Sequence, residues 1–245
     1  MTKIKVLVNG AKGKMGAETV KAVKKDNDLI LVGQTDMGDD LAKAIKQTKA
    51  EVVVDFTHPS VALKNARTIL ESKVHAVVGT TGLTPKDLEE IKKLCIKNKV
   101  NCLVAPNFAI GAVLMMKFAR EASHYMPEVE IIELHHDQKA DSPSGTAIKT
   151  AEMILADRKN IKRAQIKPVE KLKNARGAEL GGINIHSVRL QGFIAHQEVI
   201  FGGLGQTLKI RHDSISRESF MPGVILAIKR IKSLKGLVYG LDNLL

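Results

Sequence analysis

Residues 133–147 bring together, within fifteen positions, several side chains that could transfer protons or bind anions. The stretch reads ELHHDQKADSPSGTA and contains His135, His136 and Lys139. Histidine titrates nearest neutral pH, so either imidazole could deliver a proton to a substrate. A lysine held near two imidazoles could have a lowered pKa and serve as a second acid. The stretch therefore predicts a site at which an anionic substrate is protonated.

The end of the same stretch has the pattern of a helix start. Ser144 follows Pro143 and precedes apolar residues at helical spacing in 147–155, which predicts an N-cap at Ser144. The backbone N–H groups of Gly145, Thr146 and Ala147 would then form a small anion site at a helix N-terminus. For any single residue here, the alternative is an ordinary capped helix with solvated histidines before it.

A strand, residues 129–135, is predicted to lead into this stretch. Alternation along it places Glu133 and His135 on one face and His136 on the other. Adjacent histidines that point apart make a poor zinc site, and no third ligand is suitably spaced nearby. We therefore expect proton transfer here and no metal.

A hydride source is predicted at the N-terminus. A strand at residues 3–9 runs into a glycine loop at 10–16, and a helix and a second strand follow, ending at Asp36. This order is typical of a dinucleotide-binding unit, in which the acid accepts hydrogen bonds from the adenosine ribose. Lys12 replaces the middle glycine of the usual pattern, and a glycine-rich turn without a nucleotide is the alternative.

Strands and helices continue to alternate up to about residue 104. Strands are predicted at 51–56, 74–78 and 101–104, and helices at 60–72 and 85–98. Such alternation predicts a parallel sheet, whose ligands bind beyond the carboxyl ends of the strands. The turns at 55–58, 79–81 and 105–108 lie there, and Asn107 could bind a nicotinamide carboxamide or ribose. Each turn could instead simply close its strand.

The second half of the chain has a different pattern. Helices are predicted at 111–125, 144–156 and 217–234, and strands at 183–190, 195–201 and 207–212. Because no helices separate the last three strands, we expect them to be antiparallel. The predicted fold class is α/β: a Rossmann-like parallel-sheet domain, residues 1–107, and an α+β domain with a mixed or antiparallel sheet, 108–215. Residues 216–245 are expected to pack back on the first domain.

The composition narrows the class of protein. Only 3% of residues are aromatic and none is Trp, which argues against a stacking platform for single-stranded nucleic acid. No apolar run approaches the roughly 20 residues of a membrane span. The N-terminus has no signal-peptide pattern, and two cysteines, Cys95 and Cys102, cannot build a disulfide framework. We therefore expect a cytoplasmic enzyme that binds no membrane.

The formal net charge of +12 is unevenly distributed. Residues 157–176 carry eight Lys or Arg against Asp157 and Glu170, which is half of the excess. A solvated surface or the steering of a small dianion explains this stretch as well as nucleic acid does. We expect no nucleic-acid partner.

The sequence resembles the 4-hydroxy-tetrahydrodipicolinate reductases, formerly called dihydrodipicolinate reductases. Residues 133–147 are close to that family's pattern E-x-H-H-x-x-K-x-D-A/S-P-S-G-T-A. Further matching segments are residues 10–16, 55–57, 79–81, 106–108, 185–189 and 239–243. The resemblance covers the whole chain in the same order.

The resemblance implies an NADH- or NADPH-dependent reductase of lysine and diaminopimelate biosynthesis, a homotetramer without a metal. Its second domain would bind the substrate, a cyclic dicarboxylate, and form the oligomer. His135 would be the proton donor or acceptor and Lys139 a second donor, while His136, Gly145 and Thr146 would bind carboxylates. The implied cofactor contacts are Gly10, Ala11, Lys12, Gly13, Lys14, Met15, Asp36, Gly79, Thr80, Thr81, Ala105, Pro106, Asn107 and Phe108.

Two departures from the family pattern bear on the cofactor. Met37 follows Asp36 where a basic residue is common, and His58 stands where arginine is frequent. These favour NADH, although Lys12 and Lys14 could meet a 2′-phosphate. The alternatives are another small NAD(P)-dependent amino-acid dehydrogenase, such as an aspartate dehydrogenase, or a nucleotide-sensing regulator that binds nucleic acid. No helix-turn-helix pattern supports the regulator.

Overall fold

A computed structural model describes residues 2–157 and 169–245 of the chain. Most of the predicted basic stretch, residues 158–168, lies outside the described residues. The chain divides into two compact units, one formed by Met1–Ile110 with Arg217–Leu245 and the other by Gly111–Ser216. None of the described helices is both long enough and apolar enough to span a bilayer.

The first unit begins with alternating strands and helices. The strands are β1 (Ile4–Asn9), β2 (Leu29–Thr35), β3 (Val52–Asp55), β4 (His75–Val78) and β5 (Cys102–Val104). The helices are α1 (Lys14–Lys25), α2 (Leu41–Thr48), α3 (Pro59–Glu71) and α4 (Pro85–Asn98). β1, β3 and β4 are nearly continuous runs of fully buried aliphatic side chains, as expected for strands covered on both faces.

The second unit contains two helices and five strands among its described residues. In chain order these are α5 (Ile110–Ala122), β6 (Glu128–His135), α6 (Gly145–Asp157), β7 (Ala178–Leu180), β8 (Ile183–Arg189), β9 (Ala195–Gly203) and β10 (Gln206–Ser214). The strand order is β10-β9-β6-β8-β7. β6 pairs with β8 in parallel, and the other neighbours are antiparallel.

The remainder of the chain belongs to the first unit. It comprises α7 (Met221–Arg230), β11 (Leu237–Tyr239) and short 3-10 helices at Arg217–Phe220, Ile231–Ser233 and Leu241–Leu244. Lys229 at the end of α7 forms ion pairs of 2.6 Å and 2.9 Å with Asp28 and Asp26. β11 extends the parallel sheet, whose order is β11-β5-β4-β3-β1-β2.

These two sheets confirm the predicted fold class, and the second sheet is mixed. Of the three strands expected to be antiparallel, β9 and β10 pair in this way, whereas β8 does not pair with β9 and instead lies beside β6 in parallel. The continuous helix expected at 217–234 is also wrong, because α7 covers only Met221–Arg230 and has Pro222 in its first turn. Pro222 lacks a backbone N–H and therefore favours a helix start at this point.

Candidate active site

A buried carboxylate lies at the centre of the site in the second unit. Glu133, near the end of β6, has no exposed surface. Its Oε2 atom accepts a hydrogen bond of 2.5 Å from His135 Nδ1. Arg189, at the end of β8, donates from Nη1 to Oε2 at 2.9 Å and from Nη2 to Oε1 at 2.7 Å. The predicted common face of Glu133 and His135 thus brings an acid and an imidazole into direct contact.

The carboxyl group of Glu133 is held in its ionised form. Burial by itself would raise its pKa, but the hydrogen bonds from His135 and Arg189 outweigh burial and lower the pKa to about 2. At neutral pH the carboxylate therefore holds the imidazole ring through Nδ1. Within the described chain, His135 Nε2 has no hydrogen-bond partner, so it is the ring atom that remains available to a substrate.

The N-terminus of α6 adjoins this carboxylate. Ser144 is the N-cap as predicted, because its Oγ accepts a hydrogen bond of 3.2 Å from the Ala147 N–H. The Ser144 N–H in turn donates to Glu133 Oε1 at 3.2 Å. A Cβ atom added at exposed Gly145 would meet nothing within 4 Å. The first turn of α6 is thus fixed beside Glu133, with open space in front of Gly145.

Lys139 and His136 lie in the loop between β6 and α6. Lys139 Nζ forms an ion pair of 2.6 Å with Asp141, and its backbone N–H donates to the His136 carbonyl at 3.2 Å. Arg189 Nη2 also donates to the Asp141 carbonyl at 2.7 Å. Arg189 and Asp141 therefore link this loop to Glu133. The predicted lysine is close to the site, but in this structure its ammonium group is paired with Asp141.

The glycine loop of the first unit has the form that a dinucleotide requires. Gly10 has a φ of +79°, and a Cβ atom there would lie 2.3 Å from the Phe56 carbonyl oxygen. A Cβ atom at Gly16 would lie 1.9 Å from the Gly10 carbonyl oxygen. The loop passes Ala11, Lys12, Gly13, Lys14 and Met15, and α1 starts at Lys14. Its close turn into a helix N-terminus fits a pyrophosphate.

Asp36 lies against this loop. Its carboxylate accepts hydrogen bonds from the Lys12 N–H at 2.8 Å and the Met37 N–H at 2.9 Å. These two N–H groups lower the pKa of Asp36. An ionised acid at the end of β2 beside the loop fits the hydroxyl groups of an adenosine ribose.

A second buried carboxylate, Asp55, ties the turns of the first unit together. It has no exposed surface and accepts hydrogen bonds from Thr80 Oγ1 at 2.5 Å, Asn9 Nδ2 at 2.7 Å and Asn65 Nδ2 at 3.0 Å. Thr80 Oγ1 also accepts from the Thr57 N–H at 2.8 Å. The turns after β1, β3 and β4 are therefore held at one edge of the sheet.

The other predicted cofactor residues occupy the same edge. Gly79 packs so closely on Phe56 that a Cβ atom would lie 2.0 Å from its ring, whereas Thr81 is exposed. After β5, Ala105 donates to the Val78 carbonyl, and Pro106 is exposed. Asn107 Oδ1 accepts from the Ala109 N–H at 2.8 Å, which ties that side chain to its own turn. Phe108 is buried edge-on against Phe56.

Three side chains of this arrangement were not among the predicted site residues: Glu133, Arg189 and Asp55. Alternation along β6 placed Glu133 on the same face as His135. A glutamate on the same face as a predicted proton donor was the signal that could have identified it as a site residue. Arg189 lies 56 residues from Glu133, so no local spacing connects them. Among the described residues, no three His, Cys, Asp or Glu side chains form a group that could hold a metal ion.

Comparison with known proteins agrees with this geometry. The family described as "Dihydrodipicolinate reductase, N-terminus" matches residues 4–108, and "Dihydrodipicolinate reductase, C-terminus" matches residues 111–245. The 4-hydroxy-tetrahydrodipicolinate reductase of Desulfitobacterium hafniense is 51% identical over 100% of both chains. That of Syntrophomonas wolfei is 51% identical over 99% of each.

A solved structure is similar over the same length. The dipicolinate-bound dihydrodipicolinate reductase from Paenisporosarcina sp. TG-14 has a TM-score of 0.91 and 44% identity, with 100% of both chains covered. Both halves of this chain thus match in sequence, and the whole matches in structure. The chain belongs to the dihydrodipicolinate reductase family.

Proposed function

We propose that this protein reduces 4-hydroxy-tetrahydrodipicolinate to tetrahydrodipicolinate with NADH or NADPH, in lysine and diaminopimelate biosynthesis. The observation that carries the proposal is the buried Glu133–His135 pair beside the N-terminus of α6, in a chain of this family. Such a pair supplies a proton next to a site for a carboxylate. The two relatives that are 51% identical are 4-hydroxy-tetrahydrodipicolinate reductases, which supports this substrate.

The nicotinamide cofactor supplies the hydride when it is bound. Gly10, Ala11, Gly13 and the start of α1 at Lys14 and Met15 would hold the pyrophosphate, with Lys12 beside it. Asp36 would accept from the adenosine ribose. The turns holding Gly79, Thr80, Thr81, Ala105, Pro106, Asn107 and Phe108 would bind the nicotinamide half. The close approach of Gly10 to Phe56 and the carboxylate at the loop support this fit.

The proton would come from His135 Nε2. Because Glu133 accepts from Nδ1, the imidazole is held with Nε2 directed away from the carboxylate. Reducing a C=N or C=C bond needs a hydride at one atom and a proton at its neighbour. Lys139 is proposed as a second proton donor, and for this role its ammonium group would have to leave Asp141.

The carboxylates of the substrate would be bound at the N-terminus of α6. The backbone N–H groups of Gly145 and Thr146 and the side chain of His136 would hold them. The open space at Gly145 supports this role, because an anion can approach the backbone there. Arg189 acts through Glu133 and is proposed as a positioning residue.

We further propose a cytoplasmic homotetramer. The described cysteines, Cys95 and Cys102, are both free thiols, which is typical of a reducing compartment. One face of the second sheet carries the half-buried aliphatic side chains of Ile132, Leu134 and Ile200, which could pack against another copy. Light scattering of the purified protein tests the assembly.

A coupled assay tests the reaction. Freshly made product of the preceding synthase is supplied with NADH or NADPH, and oxidation of the cofactor is followed. We expect turnover in the wild type and at least a hundredfold lower kcat in His135→Ala and Lys139→Ala. Matched controls are His124→Ala and Lys149→Ala, which remove an exposed imidazole and an exposed ammonium group from the same unit.

Three outcomes would contradict the proposal or its assignments. Wild-type turnover in both site variants would remove His135 and Lys139 from the reaction. Equal losses in the site variants and the controls would point to a general effect on folding. Oxidation of aspartate with NAD⁺, together with no activity on the cyclic substrate, would favour an amino-acid dehydrogenase.

A further inference from the structure

Three carboxylates lie close together in sequence where the chain leaves β2: Asp36, Asp39 and Asp40. Asp39 Oδ2 accepts a hydrogen bond of 2.8 Å from the Asp36 N–H, and the Asp39 N–H donates to the Asp36 carbonyl at 3.1 Å. The Asp39 carboxylate is therefore fixed against the backbone of Asp36, the residue proposed to bind the adenosine ribose. Asp39 is also exposed, so an approaching ligand can meet its charge.

Asp40 carries the same charge as Asp39, but its side chain is the N-cap of α2. Its Oδ1 accepts from the Lys43 N–H at 3.0 Å and caps the N-terminus of α2. The carboxylate thus belongs to a helix end, where it stabilises the backbone N–H groups. Asp39 and Asp40 form a natural pair for comparison, because only Asp39 is bonded to Asp36.

We propose that Asp39 makes this protein discriminate against NADPH in favour of NADH. This inference rests on the proposed function, in that the glycine loop and Asp36 hold a nicotinamide dinucleotide. NADPH differs from NADH by a phosphate on the adenosine 2′-oxygen, which carries about 1.5 to 2 negative charges at pH 7. A ribose held by Asp36 would bring that phosphate towards the carboxylate of Asp39.

The discrimination arises from repulsion. Free ribose hydroxyl groups can donate to carboxylates, but a phosphate ester only accepts and repels them. A site that rejects one ligand in this way gains specificity without binding the other more tightly. The cations nearby are Lys12 and Lys14 in the glycine loop, and both are exposed. These lysines attract both cofactors, so the effect of Asp39 should appear in the ratio of kcat/KM for NADPH to kcat/KM for NADH.

Asp39→Asn tests the inference, because it removes the charge while an oxygen remains to accept from the Asp36 N–H. We expect the ratio of kcat/KM for NADPH to that for NADH to rise about tenfold, which is about 1.4 kcal/mol. The rise should come from a lower KM for NADPH, with the NADH values nearly unchanged. The matched control is Asp40→Asn, which removes one charge and keeps a capping oxygen.

Dissociation constants of both cofactors, measured by calorimetry on wild type and variants, separate this inference from the proposed function. If wild type binds the cofactors and Asp39→Asn leaves their ratio unchanged, the role of Asp39 is refuted and the proposed function stands. If Asp39→Asn and Asp40→Asn change the ratio of the two dissociation constants equally, the cause is the net charge of the protein, and the specific role of Asp39 is refuted. If wild type binds neither cofactor, both proposals fall.

Discussion

The exchange Glu133→Gln tests whether the buried carboxylate controls the proposed proton donor. The glutamine side chain has nearly the same size but carries no charge, and it replaces one acceptor oxygen with a donor. In wild type both oxygens are surrounded by donors, namely His135 Nδ1, two Arg189 nitrogens and the Ser144 N–H. An amide N–H would therefore face another donor, or would donate to Nδ1 and move the ring proton to Nε2.

The structure gives the expected magnitude of the loss in stability. Removing one partner of a buried ion pair costs about 3–5 kcal/mol. Arg189 would retain hydrogen bonds of 2.7 Å and 2.8 Å to the carbonyls of Asp141 and Val188, and its side chain is 19% exposed. We therefore expect the low end of that range, about 3 kcal/mol, and a fall in Tm of about 6–12 °C.

The loss in catalysis should be of similar size in energy. In a protease triad, replacing the carboxylate that holds the imidazole lowers kcat about 10⁴-fold. In the proposed reaction Nε2 would take its proton from solvent between turnovers, and Glu133 would act by orienting the imidazole ring through Nδ1. We expect kcat to fall about 10²- to 10³-fold, or about 2.7–4 kcal/mol. The assay is single-turnover oxidation of NADH with saturating cyclic substrate.

Glu130→Gln is the matched control for this exchange. Glu130 lies on the same strand, and its carboxylate likewise accepts from a histidine, an arginine and an asparagine: His186, Arg176 and Asn184. It is not part of the proposed site, so kcat should stay within about threefold of wild type. If Glu133→Gln keeps wild-type kcat, or if the two variants lose equal activity, the role assigned to Glu133 is refuted.

Three further predictions concern stability, the anion site and the glycine loop. The folded-state pKa of Glu133, about 2, lies below the unfolded value of about 4.3, so its contribution is fully present above about pH 4.3 and is lost as pH falls towards 2. The Tm difference between wild type and Glu133→Gln should thus stay constant from pH 7 to about 5 and narrow below about pH 4. Gly145→Ala should leave Tm unchanged, because the new Cβ meets nothing within 4 Å, yet raise the substrate KM several-fold by covering the anion site; an unchanged KM would contradict that site. Gly10→Ala should lower Tm and abolish NADH binding in calorimetry, because its Cβ would lie 2.3 Å from a carbonyl oxygen. The control is Gly38→Ala. Gly38 also has a positive φ, but a Cβ atom there would meet nothing within 4 Å, so this variant measures backbone strain alone. If both variants lower Tm and NADH binding equally, the contact between residue 10 and Phe56 is not the cause.

The sequence was sufficient wherever local pattern decides structure. β1, β2 and α4 were predicted to within one residue because each has a strong period and clear ends, such as Thr84 and Pro85 before α4. The N-cap at Ser144 followed from residue types alone. α2 was not predicted, because only two of its residues, Leu41 and Ile45, are buried, and two apolar positions are too few to show a helical period. β7 and β11 have three residues each, and pairing with a neighbouring strand defines them.

The sequence predicted which residue types form the candidate site, but not the hydrogen bonds and ion pairs between them. His135 and Lys139 could be named as acids from one short stretch, whereas the partner that fixes each depends on contacts. Asp141 pairs with Lys139 only in the folded loop, and Arg189 reaches Glu133 only through the register of β6 with β8. From the sequence, Asp55 could be recognised only as the end of a strand, because its donors come from distant elements, namely the end of β1, α3 and the turn after β4. Long-range hydrogen bonds of this kind leave no period in the sequence.

The parallel pairing of β6 with β8 explains why the acid–base pair and the anion site occur together. Parallel neighbours need a long connection, usually with a helix, that returns the chain to the starting edge. Here α6 begins just after the carboxyl end of β6, which brings the Ser144 N–H to Glu133. When the chain returns, the register pairs His135 with Arg189, whose side chain reaches Glu133 across the strands. An antiparallel hairpin at this position would have neither the helix N-terminus nor this register. The mixed sheet, which the sequence pattern only partly predicted, is therefore what assembles the proposed proton donor beside its carboxylate site.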